Sequence, residues 1–182
     1  MKKLPLYLVA IIPLVILASC DFLEKFDHFT AGSTFSESFN VTVDQNDPDF
    51  VGSVEFAATD DETIKENIDK ISDYKINKLS FIVDSYNGPS NSTGSGQFSF
   101  SSLGTQIGST VSVSNINFGQ LAVSGQEVEI PLTDDIIVAV RDAYLGGNPV
   151  KIDASGELTN LTEPATFEFT VYMSVEARVE LD

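Results

Sequence analysis

Apolar and polar residues alternate along much of this chain with the period of two that a strand shows when one face lies on a core. The last segment is the clearest: Phe167, Phe169, Val171, Met173, Val175, Ala177, Val179 and Leu181 alternate with Glu168, Thr170, Tyr172, Ser174, Glu176, Arg178, Glu180 and Asp182. No helix buries that parity, so Val175→Asp is expected to cost several kcal/mol through an unpaired buried charge, and Glu176→Ala little. Phe35, Phe39, Val41 and Val43 alternate with Ser36, Ser38, Asn40 and Thr42, with Glu37 the one polar residue on the apolar parity. Shorter runs follow at Val54, Phe56 and Ala58, at Leu79, Phe81 and Val83, at Phe98 and Phe100, and at Val111, Val113, Ile116 and Phe118. Val128, Ile130 and Leu132, then Val150, Ile152 and Ala154, complete the set.

Two stretches change period. Ile64, Ile68 and Ile71 recur at steps of four and three after Thr59-Asp60-Asp61-Glu62, which fits a capping box opened by Thr59. Thr133, with Asp134 and Asp135 behind it, opens a second helical pattern through Ile136, Ile137, Val140 and Tyr144, and Gly146-Gly147 stands where a left-handed stop belongs. Asn87-Gly88-Pro89 ends a strand, and Ser90 to Gly96 reads as a flexible, exposed tip. Short strands divided by Gly, Pro, Asn and Ser turns predict a mainly β fold: an antiparallel β-sandwich with two short helices.

The first residues carry a different pattern. Lys2 and Lys3 precede an apolar run from Leu4 to Leu17 that is short for a membrane span and ends in small residues, as a secretory signal does. Leu17-Ala18-Ser19 before Cys20 resembles the lipobox of bacterial lipoproteins. The resemblance implies cleavage before Cys20, diacylglycerol on its thiol and acylation of the new amino terminus. The chain then divides into a signal peptide (1–19), a lipidated Cys20 with its tether (20–33) and one β-sandwich domain (34–182). An uncleaved anchor is the other reading of the same residues.

In the tether, Phe22, Phe26 and Phe29 are spaced as one face of a short helix. Together with the lipobox, the segment Ile64-Lys65-Glu66-Asn67-Ile68-Asp69-Lys70-Ile71 and the following Lys75-Ile76-Asn77-Lys78-Leu79-Ser80-Phe81 strand, this resembles small Bacteroidota envelope lipoproteins. That resemblance implies a sandwich fold and a cell-envelope location, with the outer membrane ahead of the inner. Asp21 after the cysteine would mean inner-membrane retention in enterobacteria, so the membrane stays open.

Charge narrows the partners. Removing 1–19 takes two lysines away and leaves eight Lys and Arg against 27 Asp and Glu. Such a body repels phosphates, which excludes nucleic acid and makes the membrane contact one of lipid rather than charge. Cys20 is the only cysteine and His28 the only histidine, so disulfides, a zinc site of His and Cys, and a Ser-His-Asp hydrolase all lack members.

The densest oxygen cluster is Asp44-Gln45-Asn46-Asp47-Pro48-Asp49, in which Asp44, Asn46, Asp47 and Asp49 are candidate calcium ligands; the tight-turn Gly and closing Glu of an EF-hand loop are missing. Asp60-Asp61 and Asp134-Asp135 pair carboxylates as a glycosidase does, but acids in the first turn of a helix are accounted for by its dipole. With no catalytic residues assigned, the expected function is a non-catalytic, membrane-anchored binding module of the envelope, taking a protein or glycan partner on its loops. The alternative is a structural accessory subunit using the Phe face or a strand edge.

Overall fold

The computed structural model of the chain describes residues 27–181. Among them are nine strands: β1 (His28–Val43), β2 (Asp49–Phe56), β3 (Ile71–Asn87), β4 (Thr93–Ser102), β5 (Thr105–Gln106), β6 (Val111–Ile116), β7 (Val128–Glu129), β8 (Val150–Thr159) and β9 (Ala165–Glu180). One sheet runs β1-β9-β3-β7; the other runs β2-β8-β4, with β5 and β6 both beside β4. All pairings are antiparallel. The chain passes from one sheet to the other at most connections, and the two inner faces share one core, so the architecture is the expected antiparallel β-sandwich.

β9 lies between β1 and β3 and carries the predicted parity without a break. Its odd residues from Phe167 to Val179 are buried; Val175 is 1% exposed while Glu176 reaches solvent beside Lys75. β1 pairs with β9 along its whole length, from His28 opposite Glu180 to Val43 opposite Ala165. The strand therefore begins at His28, and residues 28–33, read from sequence as the end of a tether, belong to the sheet. Phe29 lies on this strand rather than on a helix; Phe22 and Phe26 fall outside the described residues, as do Cys20 and the leader.

β3 reads differently because it is bulged. One extra residue opposes β9 between Ile71 and Asp73, between Ile76 and Lys78, and between Val83 and Ser85. Each bulge flips the parity, so Tyr74 and Ile76 point inward on one side of Asn77, and Leu79, Phe81 and Val83 on the other.

Three α-helices are present among the described residues, one more than the sequence suggests there: α1 (Glu62–Glu66), α2 (Phe118–Ser124) and α3 (Asp134–Leu145). α1 is shorter than its isoleucine spacing implies, because Ile68–Lys70 tightens into a 3₁₀ turn and Ile71 opens β3. Its cap is Asp61, not Thr59: the Ile64 N–H donates to Asp61 Oδ1 (2.9 Å), and the Ser33 hydroxyl donates to Oδ2 (2.8 Å). These bonds hold the Asp61 carboxyl below its ordinary range. Asp60 instead accepts from the Ala57 N–H (2.8 Å).

α2 replaces the strand expected through Phe118. Asn117 caps it through the Gln120 N–H (2.8 Å), and Gly125 stops it in the left-handed region at φ 62°. α3 follows its predicted pattern, with Ile136, Val140 and Tyr144 buried and Gly147 left-handed at φ 71°. Thr133 turns its hydroxyl to Asp135 Oδ1 (2.5 Å) rather than to a helix N–H.

The core divides into two aromatic groups. Phe50, Phe118, Phe167 and Phe169 meet at ring separations of 5.0–6.4 Å, mostly edge to face. Phe35, Phe56, Tyr74 and Tyr144 fill the region under α3. Glycines make room for the first group: a Cβ on Gly94 would stand 2.2 Å from the Phe118 ring, and one on Gly156 2.6 Å from that of Phe50. The Ser and Gly run from Thr93 to Gly96 is therefore strand, and the flexible tip predicted over Ser90–Gly96 is corrected to a tight turn ahead of β4.

Candidate functional site

Strand register brings three connections to one end of the sandwich. Val43 pairs with Ala165, Asn87 with Thr166, and Thr93 with Thr159, so the β1–β2 turn (44–48), the β3–β4 turn (88–92) and the β8–β9 loop (160–164) are neighbours. The two surfaces chosen separately from sequence, the acidic loop and the Ser-rich tip, thus form one end face.

Two of the three connections are fixed by hydrogen bonds. In the first, the Asp47 N–H donates to Asp44 O (3.1 Å), while Asp44 Oδ1 accepts from the Asn46 N–H (2.8 Å) and Nδ2 (3.0 Å). In the second, the Ser92 N–H and the Tyr86 hydroxyl both donate to Pro89 O (3.0 and 3.1 Å), and the buried Ser92 hydroxyl donates to Thr159 O (3.0 Å). Asn117 Nδ2 reaches Ser90 O (3.2 Å), and the Leu158 N–H donates to Pro48 O (3.0 Å). The β1–β2 and β3–β4 turns of this face are thus held in place by their own hydrogen bonds and by bonds to β8 and Asn117.

Of the four residues proposed as calcium ligands, Asp44 commits one carboxylate oxygen to its own turn and Asp49 opens β2 opposite Glu157. Asp44, Asp47 and Asp49 do not bring their carboxylates together. Among the described residues, the one set of three His, Cys, Asp or Glu ligand atoms within 4.8 Å of each other is Asp27, His28 and Glu180, at the opposite end. Arg178 already occupies that cluster, with Nη2 3.2 Å from His28 Nδ1 and Nε 3.1 Å from Glu180 Oε1. The bond with His28 (2.5 Å), aided by Arg178, holds the Asp27 carboxyl below its ordinary range.

The cations are distributed unevenly along the same axis. The loop end carries Asp44, Asp47, Asp49, Glu157, Glu163 and Glu168 and no Lys or Arg. The basic residues Lys65, Lys70, Lys75, Lys78, Arg141, Lys151 and Arg178 all lie toward the other end, several of them paired: Lys75 with Glu176 (3.7 Å), Lys78 with Glu127 (2.7 Å) and Arg141 with Asp142 (2.9 Å).

A second feature adjoins the loop end. On the outer face of the β2-β8-β4 sheet the register lines up Asp49, Glu157 and Ser95, then Val51, Ser155 and Gln97, then Ser53, Asp153 and Ser99, then Glu55, Lys151 and Ser101. Two shallow depressions of about 470 and 500 Å³ lie along these rows. The first reaches the acidic turn through Asp49; the second holds the Lys151–Asp153 ion pair (2.5 Å) and the exposed Leu103. The lining mixes hydroxyl, amide and charged groups with apolar surface from Val51, Leu103 and Pro149. It suits a hydrogen-bonding or cationic ligand, and its two rings, Phe50 and Phe100, are buried in the core rather than presented for stacking by a sugar or base.

The paired acids seen in the sequence have local partners. Asp60 and Asp61 cap the turns around α1, and Asp135 accepts from the Ser109 N–H (2.7 Å) and the Thr133 hydroxyl, which together lower its pKa. No helix of the described residues is long and apolar enough to cross a membrane.

No protein-family model matches the chain, and no curated protein is similar to it. Solved structures that resemble it include Turnip Yellow Mosaic Virus, at 11% identity and a TM-score of 0.41 over 85% of this chain and 96% of that one. The BFDV capsid protein in its 60-mer form is similar at 11% identity and a TM-score of 0.39, over 86% and 97% of the two chains. Likeness at this level gives the chain neither a family nor a function.

Proposed function

We propose that this protein is a non-catalytic lipoprotein of the cell envelope, anchored through Cys20, that holds out its loop end as a binding surface. The lipobox resemblance supplies the anchor. The observation that carries the rest is the β1–β9 pairing: it spans 16 residues in unbroken register, so the tether end and the turn at Asp44 stand roughly 50 Å apart on one rigid ladder. A tether at one end and locked loops at the other is the geometry of a display module.

The partner is an envelope protein or a glycan, met by carboxylates, amides and hydroxyls; a phosphate-rich partner is repelled by the same face. Mass spectrometry of the amino-terminal peptide from native membranes tests the anchor, with a diacylated and N-acylated Cys20 expected. A free thiol or a retained leader overturns it. In-cell cross-linking from Gln45→Cys tests the surface: a discrete adduct is expected there and not from Thr30→Cys at the other end. Equal labelling from both positions refutes the assignment of the loop end.

A further inference from the structure

We infer that the end of the sandwich bearing Phe29 and Leu181 rests on the lipid surface of the protein's own membrane, so that the domain stands upright and its acidic loops face away. The inference rests on the anchor proposed above and deepens it from attachment to orientation.

Three observations converge on this end. The first is reach. Asp27 is seven residues from Cys20 and is already tied into the sheet, its carbonyl accepting from the Leu181 N–H (2.7 Å). Seven residues extend at most roughly 25 Å, so the start of β1 stays within that distance of the lipidated sulfur. No long stalk lifts the domain off the bilayer.

The second is apolar exposure. Phe29 and Leu181 share the parity of the buried residues Ala31 and Val179, but they lie past the end of the core and remain 38% and 48% exposed. The register makes them diagonal neighbours on one face of the β1–β9 pair. Apolar side chains so placed gain by entering the interfacial zone of a bilayer at a depth of about 5–10 Å.

The third is charge. A body this acidic is repelled from anionic headgroups unless its positive charges gather on the side that meets them. Beside Phe29 and Leu181 the carboxylates of Asp27 and Glu180 are paired with His28 (2.5 Å) and Arg178 (3.1 Å), whereas the loop end, devoid of cations, is at the other extreme of β1 and β9. Standing on the Phe29 end keeps the cation-free loop end farthest from lipid phosphate.

Depth-dependent fluorescence quenching of the full-length lipidated protein tests this. Vesicles of phosphatidylethanolamine with a minority of phosphatidylglycerol carry nitroxide lipids, and single labels are placed through Thr30→Cys or Gln45→Cys, both exposed positions. Expected is quenching several-fold stronger at position 30 than at 45, and loss of that contrast on adding Phe29→Ser and Leu181→Ser, with the melting temperature confirming that the domain stays folded. Protein that floats with the vesicles but shows equal quenching at both labels overturns the upright docking and leaves the anchor intact. Protein that does not float overturns the anchor, and the docking with it.

Discussion

The ring of Phe39 fills the space that a side chain on Gly52 would need: its nearest carbon is 2.0 Å from where a Cβ would stand. Phe39 belongs to β1 and Gly52 to β2, so this contact joins the edge strands of the two sheets. Gly52→Ala forces the ring out of its place against Phe169, 5.4 Å away, and is expected to lower stability by about 1–3 kcal/mol. Gly32→Ala on the same β1 strand meets nothing within 4 Å; trading chain flexibility for a Cβ, it is expected to raise stability by about 0.5–1 kcal/mol. Urea midpoints of the two variants, shifted in opposite directions, check the pair.

The Asp61 carboxylate ties α1 to β1 through Ile64 and Ser33, and these bonds lower its pKa from the ordinary 3.8. Asp61→Ala is expected to cost about 1 kcal/mol near neutral pH. Because the folded-state pKa lies below the unfolded one, the charge-dependent part of that stabilisation is complete above about pH 4 and disappears as pH falls through the folded value. The gap between native protein and variant therefore narrows as pH falls below about 4, and denaturant titrations at successively lower pH measure it.

How far this could be foreseen differs from strand to strand. β9 was legible because it has partners on both sides and no extra residue of its own, so its sequence states its two faces directly. Its neighbour β3 was legible only from Leu79 to Val83, because bulges on either side reverse the parity. The Ser and Gly run at 93–96 has the composition of a loop, yet it is strand: the Phe118 ring takes the space of a side chain on Gly94, and the Ser155 carbonyl that of one on Gly96. α2 went unread because the apolar spacing of Ile116 and Phe118 is that of a strand; its cap Asn117 and its stop Gly125 are the signals that could have found it. Of the candidate site, the acidic turn and the Ser-rich turn were each visible alone. Their union in one end face was not, since it depends on which strands pair and in what register.

Tyr74 presents the clearest unmet need in the core. Its hydroxyl is buried and, among the described residues, is the one such side-chain atom without a hydrogen-bond partner, whereas the neighbouring Tyr144 hydroxyl lies 3.8 Å from Met173 Sδ. Tyr74→Phe removes the desolvated group and keeps the ring contact with Tyr144, so stability is expected to rise by about 1 kcal/mol. Burial also raises the pKa of both phenols. The unfolded chain then ionises first, and stability falls as pH climbs past about 10. Tyr74→Phe is expected to soften that alkaline loss, which melting curves on either side of pH 10 detect.

The bulge at Asn77 makes a sharper test of the β3 register than any point substitution. Ile76 opposes Val175 and Lys78 opposes Ser174, with Asn77 looped out between them. Deleting Asn77 leaves Ile76 inward, Lys78 outward and Leu79 inward in plain alternation, with every pairing on both sides intact. The cost is limited to local twist, about 1–2 kcal/mol. Deleting Ile82 has the opposite consequence. Closing that gap against β9 turns Val83 to solvent and drives Asp84, which now accepts from the Thr170 hydroxyl on the outer face (2.5 Å), into the core. An unpaired carboxylate there costs several kcal/mol, enough to abolish folding. Soluble yield and thermal melts of the two single-residue deletions discriminate: a folded Asn77 deletion beside an unfolded Ile82 deletion is expected, and equal damage from both would mean that β3 meets β9 in another register.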